Sequence, residues 1–143
     1  MMRNLDLDCY IILLMSVVLV YFSITDILYR RIPNRWTHPL FIVLVLYRLI
    51  AGPMEYFIGL LPAIVFLILF FIRSEWIGAG DIKLLAIIGL CVEAIMVISI
   101  IFWMCLSVML FTGMMKVFKK KNFTTLPLAP FVALGWLVTV LIF

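Results

Sequence analysis

Charge is what this sequence is shortest of. Asp, Glu, Lys and Arg together make up 13% of its 143 residues, roughly half the share in an ordinary soluble domain. With 68% of the chain hydrophobic, too few polar side chains remain to cover a core with a water-facing shell, and a soluble globular domain is excluded. Cysteine is also scarce: Cys9, Cys91 and Cys105 show no C-x-x-C spacing, and His38 is the only imidazole. Neither a disulfide framework nor a zinc site follows, the three thiols read as small apolar fillers, and no metal or other cofactor is expected. No internal repeat, low-complexity segment or long polar linker divides the chain, so residues 1–143 are expected to form one polytopic membrane domain. A cleavage site of the A-x-A kind is missing after the first apolar run, which is preceded by Asp6 and Asp8 and followed by Arg30 and Arg31. It is expected to stay attached as an anchor.

What is present in quantity is apolar sequence. The runs are Cys9 to Thr25, Pro39 to Ala51, Tyr56 to Ile72, Ile82 to Val92, Ala94 to Met115 and Leu128 to Phe143. None shows strict alternation, and a helix satisfies its own backbone in lipid, so an all-α integral membrane protein with about six transmembrane helices is predicted. The stretch from Ile82 to Met115 is too long for one ordinary crossing. A turn is placed near Glu93, because a charge is least costly at an interface; a five-span alternative would make this stretch one steeply tilted helix.

The basic residues decide between the two. With six spans, Arg30, Arg31, Arg35, Arg73, Lys83, Lys116, Lys119, Lys120 and Lys121 fall on one side and only Arg3 and Arg48 on the other. Basic loops mark the cytoplasm, which puts the N-terminus and C-terminus outside; five spans would strand the lysine cluster on the wrong side. The formal charge of +4 is therefore a topology signal. Nucleic acid is not expected as a partner, since that requires basic residues gathered on a soluble face.

The same topology puts Asp26 at the inner end of span one and Asp81 at the inner start of span four. Asp81 follows Gly78-Ala79-Gly80. Glycines there admit backbone angles closed to other residues and let a second chain come close, and a helix N-terminus favours a carboxylate. A tight turn with an aspartate cap is the plainer reading of this segment taken alone. Two nearby carboxylates cannot both ionise cheaply, so one holds a proton while the other stays charged, and acid and base are supplied together. That pair suffices to hydrolyse an amide without metal, thiol or serine triad.

Asp26 with Arg31-Ile32-Pro33-Asn34, then Gly78-Ala79-Gly80-Asp81-Ile82-Lys83-Leu84, then Pro127-Leu128-Ala129-Pro130-Phe131 with Gly135, resemble the type IV prepilin peptidase (leader peptidase) family of GxGD-type membrane aspartyl proteases. The likeness runs from about residue 20 to the C-terminus. It implies an aspartic-type endopeptidase of a bacterial-type cytoplasmic membrane, cleaving short basic leader peptides from type IV prepilins or pilin-like secretion proteins at the cytoplasmic face. By position it implies Asp26 and Asp81 as the catalytic pair and Gly78 and Gly80 as shaping the site. Many members carry an extra cytoplasmic domain with paired C-x-x-C motifs, associated with N-methylation. Neither its length nor its cysteines are in this sequence, so a minimal form without methyltransferase activity is expected.

Several residues have a weaker claim. Lys83 either tunes Asp81 or snorkels to the interface. Pro127 and Pro130 either line the site, as the resemblance implies, or merely begin a helix. Arg30, Arg31, Lys119, Lys120 and Lys121 are expected to meet anionic lipid headgroups. Two other functional classes compete: a small cation or proton pathway, and a non-catalytic subunit of a secretion or pilus machine. The first calls for carboxylates in a cavity reaching both sides of the membrane, the second for aspartates that tolerate Asp→Asn.

Overall fold

The structure, a computed structural model, describes residues 2–30, 32, 34–51, 55–72, 78–117 and 127–143. Among these, every regular element is an α-helix: α1 (Met2–Tyr29), α2 (Asn34–Ala51), α3 (Glu55–Ile58), α4 (Leu61–Ile72), α5 (Ala79–Cys91), α6 (Ala94–Val117) and α7 (Ala129–Ile142). The expected break near Glu93 is present, because α5 ends at Cys91 and α6 begins at Ala94. The expected single helix from Tyr56 to Ile72 is interrupted at Gly59 and Leu60. Pro62 has no N–H to return to the Ile58 carbonyl, and the turn closes instead through Gly59 N–H to Tyr56 O and Leu60 N–H to Phe57 O, both 3.1 Å.

Among the described residues three stretches are long and apolar enough to cross a membrane: Asp8–Tyr29, Glu55–Ile72 and Ala94–Lys116. The other three expected spans fall short of that description. Helix α2 carries Arg35, Arg48 and an internal Pro39, while α5 and α7 have 13 and 14 residues. At about 1.5 Å per residue these two reach only about 20 Å, less than the ~30 Å hydrocarbon layer. Exposed faces of α1 and α6 carry Leu13, Val17 and Ile24, and Ile98, Phe102 and Met109. Apolar surface on that scale suits lipid rather than water.

Helix α5 is the hub. It packs against α1, α2, α3, α4 and α6, while α7 lies against α6 and α1. Apolar residues around its whole circumference explain its position, since Leu84, Ile87, Ile88 and Leu90 are all fully buried. Gly59 and Gly89 let the α3–α4 junction and α5 meet backbone to backbone; a Cβ on either would collide with the carbonyl oxygen of the other. Gly135 does the same for α7 against the Ile100 carbonyl of α6. Close approach through small residues is how helices gain dispersion contact where no hydrophobic force drives them together. Trp136, wholly buried on α7, donates its indole N–H to Ser16 Oγ of α1 at 2.9 Å.

At the end of the bundle holding the C-terminus of α5, Arg48 is buried and neutralised. Its Nε and Nη2 donate to Leu90 O at 2.9 Å and Cys91 O at 3.1 Å. Its Nη1 lies 2.9 Å from Asp8 Oδ1, and the guanidinium sits 3.5 Å from the Tyr56 ring centroid. A cation on the last carbonyls of a helix complements both the unpaired oxygens and the dipole. Arg48 and Asp8, which charge counting assigns to one side of the membrane, are thus in contact.

Candidate active site

The other end of the bundle is assembled from three helix termini. Helix α1 stops one turn after Asp26: Arg30 N–H donates to Asp26 O at 2.9 Å, and Arg30 takes a left-handed φ of 50°, a common helix stop. The Asp26 side chain, 8% exposed, reaches across to α7, where its Oδ2 accepts the Ala129 N–H at 3.0 Å. That donor is free for a local reason. Ala129 is the first residue of α7, Pro130 next to it has no N–H, and Phe131 and Val132 already donate to Leu128 O at 3.0 and 3.1 Å. Asp26 therefore takes the one N–H of this first turn that the helix leaves unused. Beside it the buried Ser23 hydroxyl lies 2.7 Å from Leu19 O and 3.3 Å from Ala129 O, tying α1 to the same turn. Asp26 Oδ1 makes no hydrogen bond among the described residues.

Asp81 stands in the first turn of α5, one residue ahead of the apolar run that begins at Ile82. Its N–H donates to Gly78 O at 3.1 Å, and its carboxylate accepts a hydrogen bond back from the Gly78 backbone. The carboxylate supplies the return half of a capping box, with aspartate in place of glutamate, while the backbone carbonyl of Gly78 takes the Asp81 N–H that an N-cap side chain would otherwise accept. Burial first, and then the nearby Asp26 charge, push the Asp81 carboxyl up from 3.8 to about 6, with the Gly78 hydrogen bond partly opposing both. The two aspartates, 55 positions apart in sequence, thus lie within electrostatic reach of each other.

The glycines act through space rather than through backbone angle, which corrects part of the sequence reading. Gly78 has φ −73° and ψ 136°, open to any residue, and among the described glycines none has positive φ. A Cβ on Gly78 would instead sit 2.9 Å from Asp81 Oδ2, and one on Gly80 would press on the Ile32 side chain at 3.3 Å. Gly78 leaves room for the carboxylate to fold back over the helix start. Gly80 lets the α1–α2 connection rest on α5.

The remaining expected site residues are placed less centrally. Lys83 lines a 200 Å³ cavity with Thr37, His38 and Phe41 of α2. Pro130 contributes by withholding an N–H beside Ala129; Pro127 lies just ahead of α7, half-buried. Arg30 is exposed, while Arg31, Lys119, Lys120 and Lys121 lie outside the described residues. Sequence reading missed Ala129 and Ser23. The signal that pointed toward Ala129 is the prolines either side of Leu128-Ala129, one of which strips the adjacent turn of its donor.

No curated protein and no solved structure matches the chain significantly. A family profile described as "Type IV leader peptidase family" matches residues 13–113, a stretch that holds Asp26, the Gly78 to Asp81 turn and more than two-thirds of the chain. With that match spanning both acidic helix ends, the chain belongs to the type IV leader peptidase family and is a protease of that kind.

Proposed function

We propose that this protein is an aspartic endopeptidase in which Asp26 and Asp81 act as a pair. Its substrates in this reading are type IV prepilins or pilin-like proteins, cut after a short basic leader at the cytoplasmic face of the membrane. The observation that carries the proposal is the asymmetric pairing of the carboxyls. Asp81 is the proton holder, raised by burial and by its neighbour. Asp26 is the acceptor, with Oδ2 held by the Ala129 N–H and Oδ1 left for water.

Catalysis then proceeds in two balanced steps. As the water oxygen bonds to the carbonyl carbon, its proton passes to Asp26 and the Asp81 proton passes to the carbonyl oxygen, giving a neutral gem-diol. Asp26 next delivers its proton to the amide nitrogen as the C–N bond breaks, and Asp81 recovers a proton from one diol hydroxyl as the acid forms. The dyad ends as it began, and the products are a leader acid and a new amino terminus.

The test is cleavage of a prepilin by the full chain in phospholipid vesicles. Asp26→Asn and Asp81→Asn are each expected to lower the rate by about 100-fold or more, while thermal unfolding shows both variants folded. Either variant cutting at the unmodified rate overturns the pairing. No cleavage by the unmodified chain would favour a non-catalytic subunit.

A further inference from the structure

Helix α1 packs on α5 and α7, and α2 packs on α5; between α1 and α2 lies a continuous apolar groove. Its stretch nearer the aspartates, 640 Å³, runs between Val17, Tyr21 and Phe22 of α1 and Trp36 of α2. Its farther stretch, 320 Å³, reaches Tyr10 and Tyr47 and is floored by Cys91 of α5. Leu40 and Val43 line both stretches and join them. From Tyr10 to Phe22 the groove follows α1 for about 18 Å, at about 1.5 Å per residue. Among the described residues no charged side chain lines either stretch, and Val17, Tyr21, Trp36 and Val43 stand open to the surroundings.

The inner end fixes what the groove is for. Phe22 precedes Asp26 by four residues, so the inner end of the groove lies one helical turn from Asp26, whose side chain turns toward α7. An acyl chain seated there would have nothing for two carboxyls to act on. A peptide arriving from within the bilayer does, and in hydrocarbon its backbone must be satisfied internally, so it arrives as an apolar helix.

We propose that the α1–α2 groove is the docking site for the apolar helix of the substrate, which enters sideways from the membrane and presents the peptide bond at its inner end to Asp26 and Asp81. The inference rests on the peptidase reading and adds where the membrane-embedded part of the substrate lies. Val17 and Val43 are its contact residues, and Trp36 with Tyr21 flanks the helix end next to the site.

Photocrosslinking in vesicles tests it. p-Benzoylphenylalanine replaces Val17 or Val43 in the full chain, or, as a control, Phe102 on the outward face of α6, which is 61% exposed. A prepilin bearing an apolar helix is then added and illuminated. Substrate adducts are expected at Val17 and Val43, mapping within that helix, at yields well above those at Phe102. Yields no higher than at Phe102, or adducts with phospholipid alone, overturn the groove. Cleavage by the unmodified chain in the same vesicles separates the two readings. Cleavage without groove adducts sinks the groove alone, whereas no cleavage sinks the peptidase reading and the groove's substrate with it. In the active enzyme Val43→Trp, which fills the groove from an exposed position, is expected to raise KM about tenfold, equivalent to ~1.4 kcal/mol of lost binding; an unchanged KM counts against the groove.

Discussion

Replacing Arg48 by methionine removes the cation that closes the end of the bundle opposite the aspartates. Arg48 is 1% exposed and holds Leu90 O, Cys91 O and Asp8 Oδ1 at 2.9, 3.1 and 2.9 Å. Methionine fills most of the same space, so the loss is electrostatic: two carbonyls at the end of α5 lose their donors and the Asp8 carboxylate is left alone. Stranding one partner of a buried pair costs about 3–5 kcal/mol. Asp8 is 26% exposed and can regain water, which favours the low end. A loss of about 3 kcal/mol corresponds to roughly 10 °C in unfolding temperature for a chain of this size. Arg48→Lys keeps the charge but presents one ammonium where a fork spans three acceptors, and is expected to fall between the two. The assay is thermal unfolding in detergent followed by tryptophan fluorescence, with Trp136 as a buried reporter. Asp8→Asn added to Arg48→Met is expected to cost less than the sum of the two single changes, because no carboxylate is then stranded. An Arg48→Met protein within about 0.5 kcal/mol of the unmodified chain would refute the reasoning.

Four further outcomes follow from the same structure. Asp81 has its carboxyl raised from 3.8 to about 6, so its contribution to stability is complete below pH 3.8 and lost as pH rises through about 6. Asp81→Asn is accordingly expected to unfold at a higher temperature than the unmodified chain at pH 7–8 and at a similar one near pH 3.5, read from unfolding curves across that range. If Asp81 must hold the proton, kcat/KM for prepilin cleavage falls as pH rises above about 6, approaching tenfold per pH unit; a flat profile from pH 6 to 8 would contradict the role. Gly89→Ala drives a methyl into the Gly59 carbonyl and is expected to cost about 1–3 kcal/mol, measured by unfolding. Asp26→Ala leaves the Ala129 N–H without its acceptor and is expected to lose about 1 kcal/mol, whereas Asp26→Asn keeps an acceptor oxygen and most of that stability while losing activity.

The sequence by itself determined the local properties of this protein. Six apolar runs and the sparse charge establish a helical membrane protein, because hydropathy and backbone satisfaction in lipid depend only on neighbouring residues. The break at Glu93 was legible for the same reason, and so was the placing of Asp26 and Asp81 at helix ends. The interruption at Gly59 and Leu60 was not, although Pro62 stands close by, because nothing local says that Gly59 must meet Gly89. Tertiary structure decided the rest. It gave Asp26 the Ala129 N–H from a helix 103 positions away, and it clamped Arg48 onto the end of α5. It also showed that Gly78 and Gly80 are needed for space beside Asp81 and Ile32 rather than for unusual backbone angles. Those features depend on which helix ends meet, and meeting is a property of packing around α5 that no stretch of chain carries alone.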